Sequence, residues 1–260
     1  MEYFDDDLED ELDDEAWGER VFGPDDRVQV RARNTNPSTR LFPFNVICLI
    51  EQGSTSAFGS HATGTLIAPQ VVLTAGHVID GVARARVTPG ADLTATGAAN
   101  RMPANPGRQA VPSSRFVRHP TLDLGLIFAP SAFTRPTEFM MLQPRSSQNT
   151  ASLLSLAGYP RTRPRTSPGV AIRGEMYRHQ GHVPIAGVTA TRLQYSIDTS
   201  VGQSGSPLWL LGNDGIRLQL GVHTSAGNFG VRITCAVIDW IEAACRARSI
   251  RGPRVDRVQY

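Results

Sequence analysis

The sequence predicts an all-β protein, a barrel or a sandwich, finished by one late helix. Three observations carry this expectation. Seven short segments after residue 40 are apolar or β-branched, and Gly, Pro or Asn bounds most of them. One stretch alone, 235–249, repeats its apolar residues at helical spacing. The 24 glycines and 18 prolines are spread along all 260 residues, so turns punctuate the whole chain. This length suits one large all-β domain or two small lobes.

The chain opens on an acidic stretch. Residues 1–20 hold eleven carboxylates and one arginine, a charge of −10. The remainder holds 25 arginines against 13 of the 24 carboxylates, a charge of +12. A segment this charged and this poor in apolar residues does not fold alone. It reads as a solubilising tail, or as a pro-segment that lies on the basic body, an attraction that salt would screen. A secretory signal needs a basic start and an apolar stretch, and neither opens this sequence. The expected location is left between the cytoplasm and export by another route. No run of about eighteen apolar residues occurs, so no membrane span is expected. All 26 basic residues are arginine, to which we attach no function.

The strand segments follow in order: "FNVICLIE" (44–51), "HATGTLIAPQVVLTAGHV" (61–78), "LDLGLIFA" (122–129), "SLLSLAGYP" (152–160), "LQYSIDTS" (193–200), "SPLWLL" (206–211) and "LQLGVHTS" (218–225). Residues 131–150, "SAFTRPTEFMMLQPRSSQNT", are polar and poor in strand signal, which marks a linker between two halves. The helix "CAVIDWIEAACRARS" carries Val237, Ile238, Ile241, Ala244 and Cys245 on one face. Thr234 is placed to cap it, and its arginines lie at the favourable end of its dipole. Ten helical residues hold Cys235 and Cys245 about 15 Å apart, too far for a disulfide. With Cys48 they make three cysteines, which cannot all pair within one molecule.

Three short motifs carry chemistry. "LTAGHV" puts His77 where an apolar strand meets a small-residue turn. "HPTLDLGLI" puts Asp123 just before an apolar strand. "GQSGSPLW" puts Ser204 between Gly202 and Gly205. A serine hydroxyl is a poor nucleophile at neutral pH; it needs a base in reach, and the base needs an orienting acceptor. Gly202 adopts positive φ at little cost, so the N–H groups of Gly202 and Ser204 are candidates for an oxyanion hole. Singly, each motif is weak. A lone histidine after a strand is more often structural, an aspartate opening a strand is usually a turn residue, and G-x-S-G is common by chance. Together, in the order His, Asp, Ser with gaps of 46 and 81 residues, they match one of three known convergent arrangements.

"TAGHV", "DLGLI" and "GQSGSP" resemble the three signature segments of the trypsin/chymotrypsin-like serine proteases, and the resemblance runs from about Val21 to the last helix. "VFGPDDRVQV", "YSIDTSVGQSGSPLW" and "LGVHT" resemble the bacterial glutamyl-endopeptidase branch. The resemblance implies two six-stranded antiparallel β-barrels with the site in the cleft between them. It divides the chain into a tail 1–20, an N-terminal barrel 21–135, a linker 136–150, a C-terminal barrel 151–234, the helix 235–249 and a tail 250–260. It makes His77 the general base, Asp123 its orienter and Ser204 the nucleophile. In the trypsin branch an aspartate precedes the nucleophile and pairs with the new N-terminus on activation. Here Gln203 stands there, so that ion pair is not the switch. Thr63 stands where the family's usual cysteine would brace the histidine, and the cysteine's partner near His77 is also missing.

The same resemblance places the substrate pocket at residues 197–201 and the strand "GVHTS". Asp198 occupies the place of the aspartate that binds Arg or Lys in trypsin-like enzymes. Thr199 and His223 occupy the places that bind a substrate carboxylate in the glutamate-cutting branch, with Ser225 beside them. The expected preference is Glu or Asp at P1; Arg or Lys through Asp198 is the alternative. His223 alone would read as a satisfied core histidine. Thr224 is expected to bond Asp123 from behind. "VFGPDDR" resembles a mature start whose terminal amine, on Val21, helps hold the P1 carboxylate. That implies a zymogen cut between Arg20 and Val21, by another protease, since a Glu-specific enzyme would cut after Glu19. The expected partners are a protein or peptide substrate and that activating protease, with no nucleic acid and no membrane. A catalytically silent binding module and an esterase on the same site are the competing functions. No cofactor is expected and no metal site: His61, His119, His179 and His182 lack matching partners, and "RHQGH" brings only two of them close, so all four are expected on the surface or in loops.

Overall fold

A computed structural model describes residues 25–31, 37–54, 58–92, 107–144, 153–161, 174–182, 188–212, 214–225 and 228–257. Val21 and the acidic stretch 1–20 lie outside the described residues. The fold is all-β, in two sheets that form the two barrels, with one C-terminal helix.

The first sheet has seven strands. They are β2 (Ile47–Gly53), β3 (Phe58–Ala68), β4 (Val71–Thr74), β5 (Arg84–Pro89), β6 (Gln109–Pro112), β7 (Phe116–Arg118) and β8 (Gly125–Phe128). Their order is β6-β5-β2-β3-β4-β8-β7, antiparallel throughout. The second sheet holds β1 (Val28–Val30), β9 (Met141–Leu142), β10 (Leu153–Gly158), β11 (Met176–His182), β12 (Arg192–Gln194), β13 (Pro207–Leu211), β14 (Arg217–Ser225) and β15 (Phe229–Arg232). Its order is β1-β11-β10-β13-β14-β15-β12, and β9 runs parallel beside β14. The amino-terminal strand β1 thus belongs to the second sheet, paired with β11 from Val28↔Arg178 to Val30↔Met176.

Several elements depart from the sequence expectation. The stretch 61–78 is not one strand: it turns at Pro69 and Gln70 into β4, then ends in a 3-10 turn at Gly76–Val78. Proline has no N–H for a ladder, which explains the break. Of 193–200 only Leu193 and Gln194 pair in a sheet; the rest is extended without a ladder. Strands β5, β7 and β11 were hidden by arginines and histidines. β11, "MYRHQGH", is held by ladders to β1 and β10 on its two edges rather than by an apolar pattern.

Among the described residues the buried apolar side chains form three clusters. One lies in the first barrel around Ile47, Leu49, Ile50, Leu66 and Val72. Another lies in the second around Leu154, Leu156, Tyr195, Ile197 and Leu208. The third joins both sheets to the helix α1 (Cys235–Arg246): Leu73, Leu124, Leu126 and Phe128 meet Val222, Ile233, Val237, Ile238 and Ile241. Each such side chain contributes about 1.5–3 kcal/mol when fully buried, so this shared cluster fixes β4 and β8 against β14. Thr234 caps α1 by accepting from the Val237 amide at 3.2 Å. Among the described residues the cysteines form no disulfide, and burial raises the Cys48 thiol pKa. Among the described residues, no helix is long and apolar enough to cross a membrane.

Candidate active site

His77 and Asp123 are brought together by one rung of a ladder. Thr74 of β4 pairs with Gly125 of β8. His77 follows that rung by three residues and Asp123 precedes it by two. The Asp123 Oδ1 accepts from the His77 amide at 2.8 Å, and Oδ2 lies 2.8 Å from the His77 Nδ1. An ionised carboxylate only accepts, so Nδ1 carries the proton and Nε2 is left as the base. Burial pushes the Asp123 carboxyl up. The hydrogen bonds and charge of His77, aided by Arg118, outweigh this and leave it below its ordinary value. The His77 side chain is 46% exposed, so the ring is open to a ligand.

Ser204 is anchored to the same strands through its backbone. Its carbonyl accepts from the Thr63 amide at 2.9 Å, and the Thr63 carbonyl accepts from the Thr74 hydroxyl at 2.7 Å. Thr63 also bridges the two sheets with its side chain: its hydroxyl donates to the Gly202 carbonyl and accepts from the Tyr159 amide, both at 2.9 Å. On the other side Gly205 donates to the His223 carbonyl at 2.7 Å, and His223 donates to the Ser206 carbonyl at 2.9 Å. Among the described residues no hydrogen bond joins Ser204 Oγ to the His77 ring, as is common before substrate binds.

The turn around Ser204 demands its glycines. Gly202 has φ of 99° and Gly205 has φ of 87°. A Cβ on Gly202 would lie 2.5 Å from the Tyr159 carbonyl, and one on Gly205 would lie 2.0 Å from the Thr63 carbonyl. Within the turn the Gln203 amide is spent on the Ser200 carbonyl at 3.0 Å. The amides of Gly202 and Ser204 donate to no carbonyl among the described residues.

The residues expected to line the pocket make bonds different from those expected. His223 is fully buried, and its Nδ1 is paired with the Tyr195 hydroxyl, which donates to the Phe229 carbonyl at 3.2 Å. Nδ1 is therefore the donor toward Tyr195. Thr199 gives its hydroxyl proton to Asn228 Oδ1 at 2.6 Å, and Asn228 Nδ2 donates to the Ile197 carbonyl at 2.7 Å. Asn228, with φ of 57°, is a residue the sequence reading missed; a Gly-Asn pair just after the strand segment "LQLGVHTS" was the available signal. Thr224 is buried but makes no bond to Asp123 among the described residues; His77 takes both carboxylate oxygens. The backbone of Ser225 closes β14 against Phe229.

Asp198 is 1% exposed and faces the amino-terminal segment. Its Oδ2 accepts from the Asp26 amide at 3.4 Å, and its own amide donates to His179 Nδ1 at 2.7 Å. The other His179 nitrogen lies 2.9 Å from Asp26 Oδ1. This corrects the expectation for His179 and His61, which are not surface or loop residues. His179 sits in β11, between the Asp198 amide and the Asp26 carboxylate, and His61 is buried in β3 with Nε2 3.1 Å from the Tyr159 carbonyl. His119 accepts from the amides of Thr121 and Leu122 and packs edge-on against Trp240. The side chain of His182 lies outside those described. Asp26, His179 and Asp198 offer ligand-type atoms within 4.8 Å of one another, a geometry their mutual hydrogen bonds account for.

Gln203 is completely buried, and its Oε1 accepts from the Ser200 amide at 2.9 Å and from Arg27 Nη1 at 3.2 Å. Arg27 is a second functional candidate that sequence reading passed over.

Comparisons with known proteins place the chain in a family. Residues 62–214 match the trypsin-like peptidase domain family. A glutamyl endopeptidase of Bacillus licheniformis is 30% identical over 235 residues, which cover 84% of this chain and 67% of that protein. The solved structure of a Glu endopeptidase in complex with MPD superposes with a TM-score of 0.66 at 25% identity, covering 86% of this chain and 99% of that one. The chain therefore belongs to the trypsin-like peptidase family, as a serine endopeptidase in the branch that holds these glutamyl endopeptidases.

Proposed function

We propose that this endopeptidase hydrolyses peptide bonds through an acyl-enzyme, with His77, Asp123 and Ser204 as its triad and Glu or Asp preferred at P1. The observation that carries the reading is the double hold of Asp123 on His77, at 2.8 Å on the ring and 2.8 Å on the amide. Ser204 Oγ attacks the scissile carbonyl while His77 Nε2 takes its proton. The developing oxyanion accepts from the Gly202 and Ser204 amides. His77 then protonates the leaving amine, and water, deprotonated by the same ring, releases the acyl group.

The acidic preference rests on His223 and on the engagement of Asp198. The Asp198 carboxylate is already bonded to the amino-terminal segment, which speaks against the Arg/Lys alternative. As an imidazolium, His223 offers positive charge and an Nε2 donor to a substrate carboxylate. Thr199 joins it only by turning its hydroxyl from Asn228. Activation follows from a cut between Arg20 and Val21, whose new amine adds a second cation for the P1 side chain.

A peptide-library cleavage profile, run with residues 1–20 present and removed, tests both parts. Cleavage after Glu or Asp is expected, stronger once Val21 is the terminus. Cleavage after Arg or Lys would overturn the preference, and equal activity of both forms would overturn the activation step.

A further inference from the structure

We infer that Arg27 is a positioning residue for catalysis: it clamps the turn Ser200–Ser204 from behind and so holds the Gly202 and Ser204 amides on the reacting oxygen. This rests on the reading of Ser204 as nucleophile. The Arg27 side chain is 1% exposed, and each of its three guanidinium nitrogens donates a hydrogen bond. Nε and Nη2 grip the two Asp25 oxygens at 2.9 and 2.6 Å. Nη1 donates to Ser200 Oγ at 2.8 Å and to Gln203 Oε1 at 3.2 Å. The charge is thus paired where it is buried, and burial, which raises the Asp25 pKa, is outweighed by the hydrogen bonds and charge of Arg27, so that the carboxyl stays below its ordinary value.

The two acceptors of Nη1 are the two ends of one turn. Gln203 donates its amide to the Ser200 carbonyl, and its side chain accepts from the Ser200 amide. Arg27 joins both side chains of this closed loop, which carries Gly202 within it. A turn with Gly202 at φ of 99° has other conformations open to it, because glycine imposes no penalty for leaving. An external clamp is what selects one. Arg27 is itself immobile: β1 begins at the next residue and pairs with β11, and the Asp26 amide is bonded to Asp198. The amino-terminal segment therefore sets the oxyanion geometry through an internal cation.

The test compares Arg27→Ala, Arg27→Lys, Ser200→Ala and Ser204→Ala, all in the full chain, with the peptide that the cleavage profile ranks first. Arg27→Ala is expected to lose about 10²-fold in kcat, the scale of a lost oxyanion donor, with KM within about threefold. Binding of a matching peptide aldehyde, which forms a tetrahedral adduct, should weaken in parallel, whereas binding of the product peptide should not. Arg27→Lys should recover part of the loss, since one ammonium reaches an acceptor but cannot span the fork. If thermal unfolding shows Arg27→Ala misfolded, Ser200→Ala decides: about tenfold lower kcat at unchanged KM is expected. Unchanged kcat in the folded variant, or a loss in KM alone, overturns the clamp. Ser204→Ala separates the two claims: if it stays active the nucleophile reading fails, and if it is dead while the clamp variants are active only the clamp fails.

Discussion

Asp123 holds His77 by two hydrogen bonds of equal length, one to the ring Nδ1 and one to the backbone amide, on separate carboxylate oxygens. The ring therefore has neither rotational nor tautomeric freedom. Asp123→Asn would keep the shape but offer an N–H where an acceptor is required. It should lower kcat by about 10⁴ with the fold intact, measured by steady-state turnover and circular dichroism.

Thr63 is the second joint of the site. Its hydroxyl serves the Gly202 carbonyl and the Tyr159 amide at once, both buried. Thr63→Val, of nearly the same shape, leaves both groups unsatisfied and should cost about 2–4 kcal/mol in urea unfolding. Thr63→Ser keeps the hydroxyl and should stay close to the parent.

Acid should loosen the amino-terminal clamp. Asp25 titrates below its ordinary value in the folded chain, because Arg27 outweighs the effect of burial. A depressed carboxylate stabilises fully above its unfolded value, near pH 4, and its contribution fades as pH falls through the lower folded value. The stability gap between the parent and Asp25→Asn, followed by thermal unfolding, should be flat above about pH 5 and narrow below it. A gap that widens toward low pH would contradict the pairing.

P1 choice should depend on His223. His223→Gln keeps a polar side chain beside Tyr195 but removes the ring proposed to read the substrate carboxylate. It should reduce kcat/KM for a P1 Glu peptide on the order of 10²-fold, with a much smaller effect on the matching P1 Gln peptide. Equal losses on both would show that the ring supports the pocket without reading the carboxylate.

The local chemistry of the site was legible in sequence because it lies in contiguous motifs. His77, Asp123, Gly202 and Ser204 each sit where a strand meets a turn, and a turn's small residues are visible without the fold. The helix was legible because Val237, Ile238 and Ile241 repeat at its period, and its Thr234 cap is present. What was illegible is what the tertiary ladder supplies. After Met176 and Tyr177, β11 runs on through Arg, His, Gln and Gly, and its partners on two edges hold it as a strand. The Arg27–Gln203 bond spans 176 residues, and no spacing rule connects them. Gln203 read as a lost charge pair; in the folded chain it is an acceptor for a cation from another part of the sequence. The bond of Asp198 to the Asp26 amide, 172 residues away, is equally invisible.

The most direct test of the account is where an activated-serine reagent lands. A fluorophosphonate should add once to the folded protein, and peptide mapping by mass spectrometry should place the adduct on Ser204. Ser204→Ala should abolish both labelling and peptide hydrolysis, the latter by about 10⁶-fold, and His77→Ala should abolish labelling while Ser204 remains. Peptide hydrolysis that survives Ser204→Ala, or an adduct on any other residue, would contradict the triad.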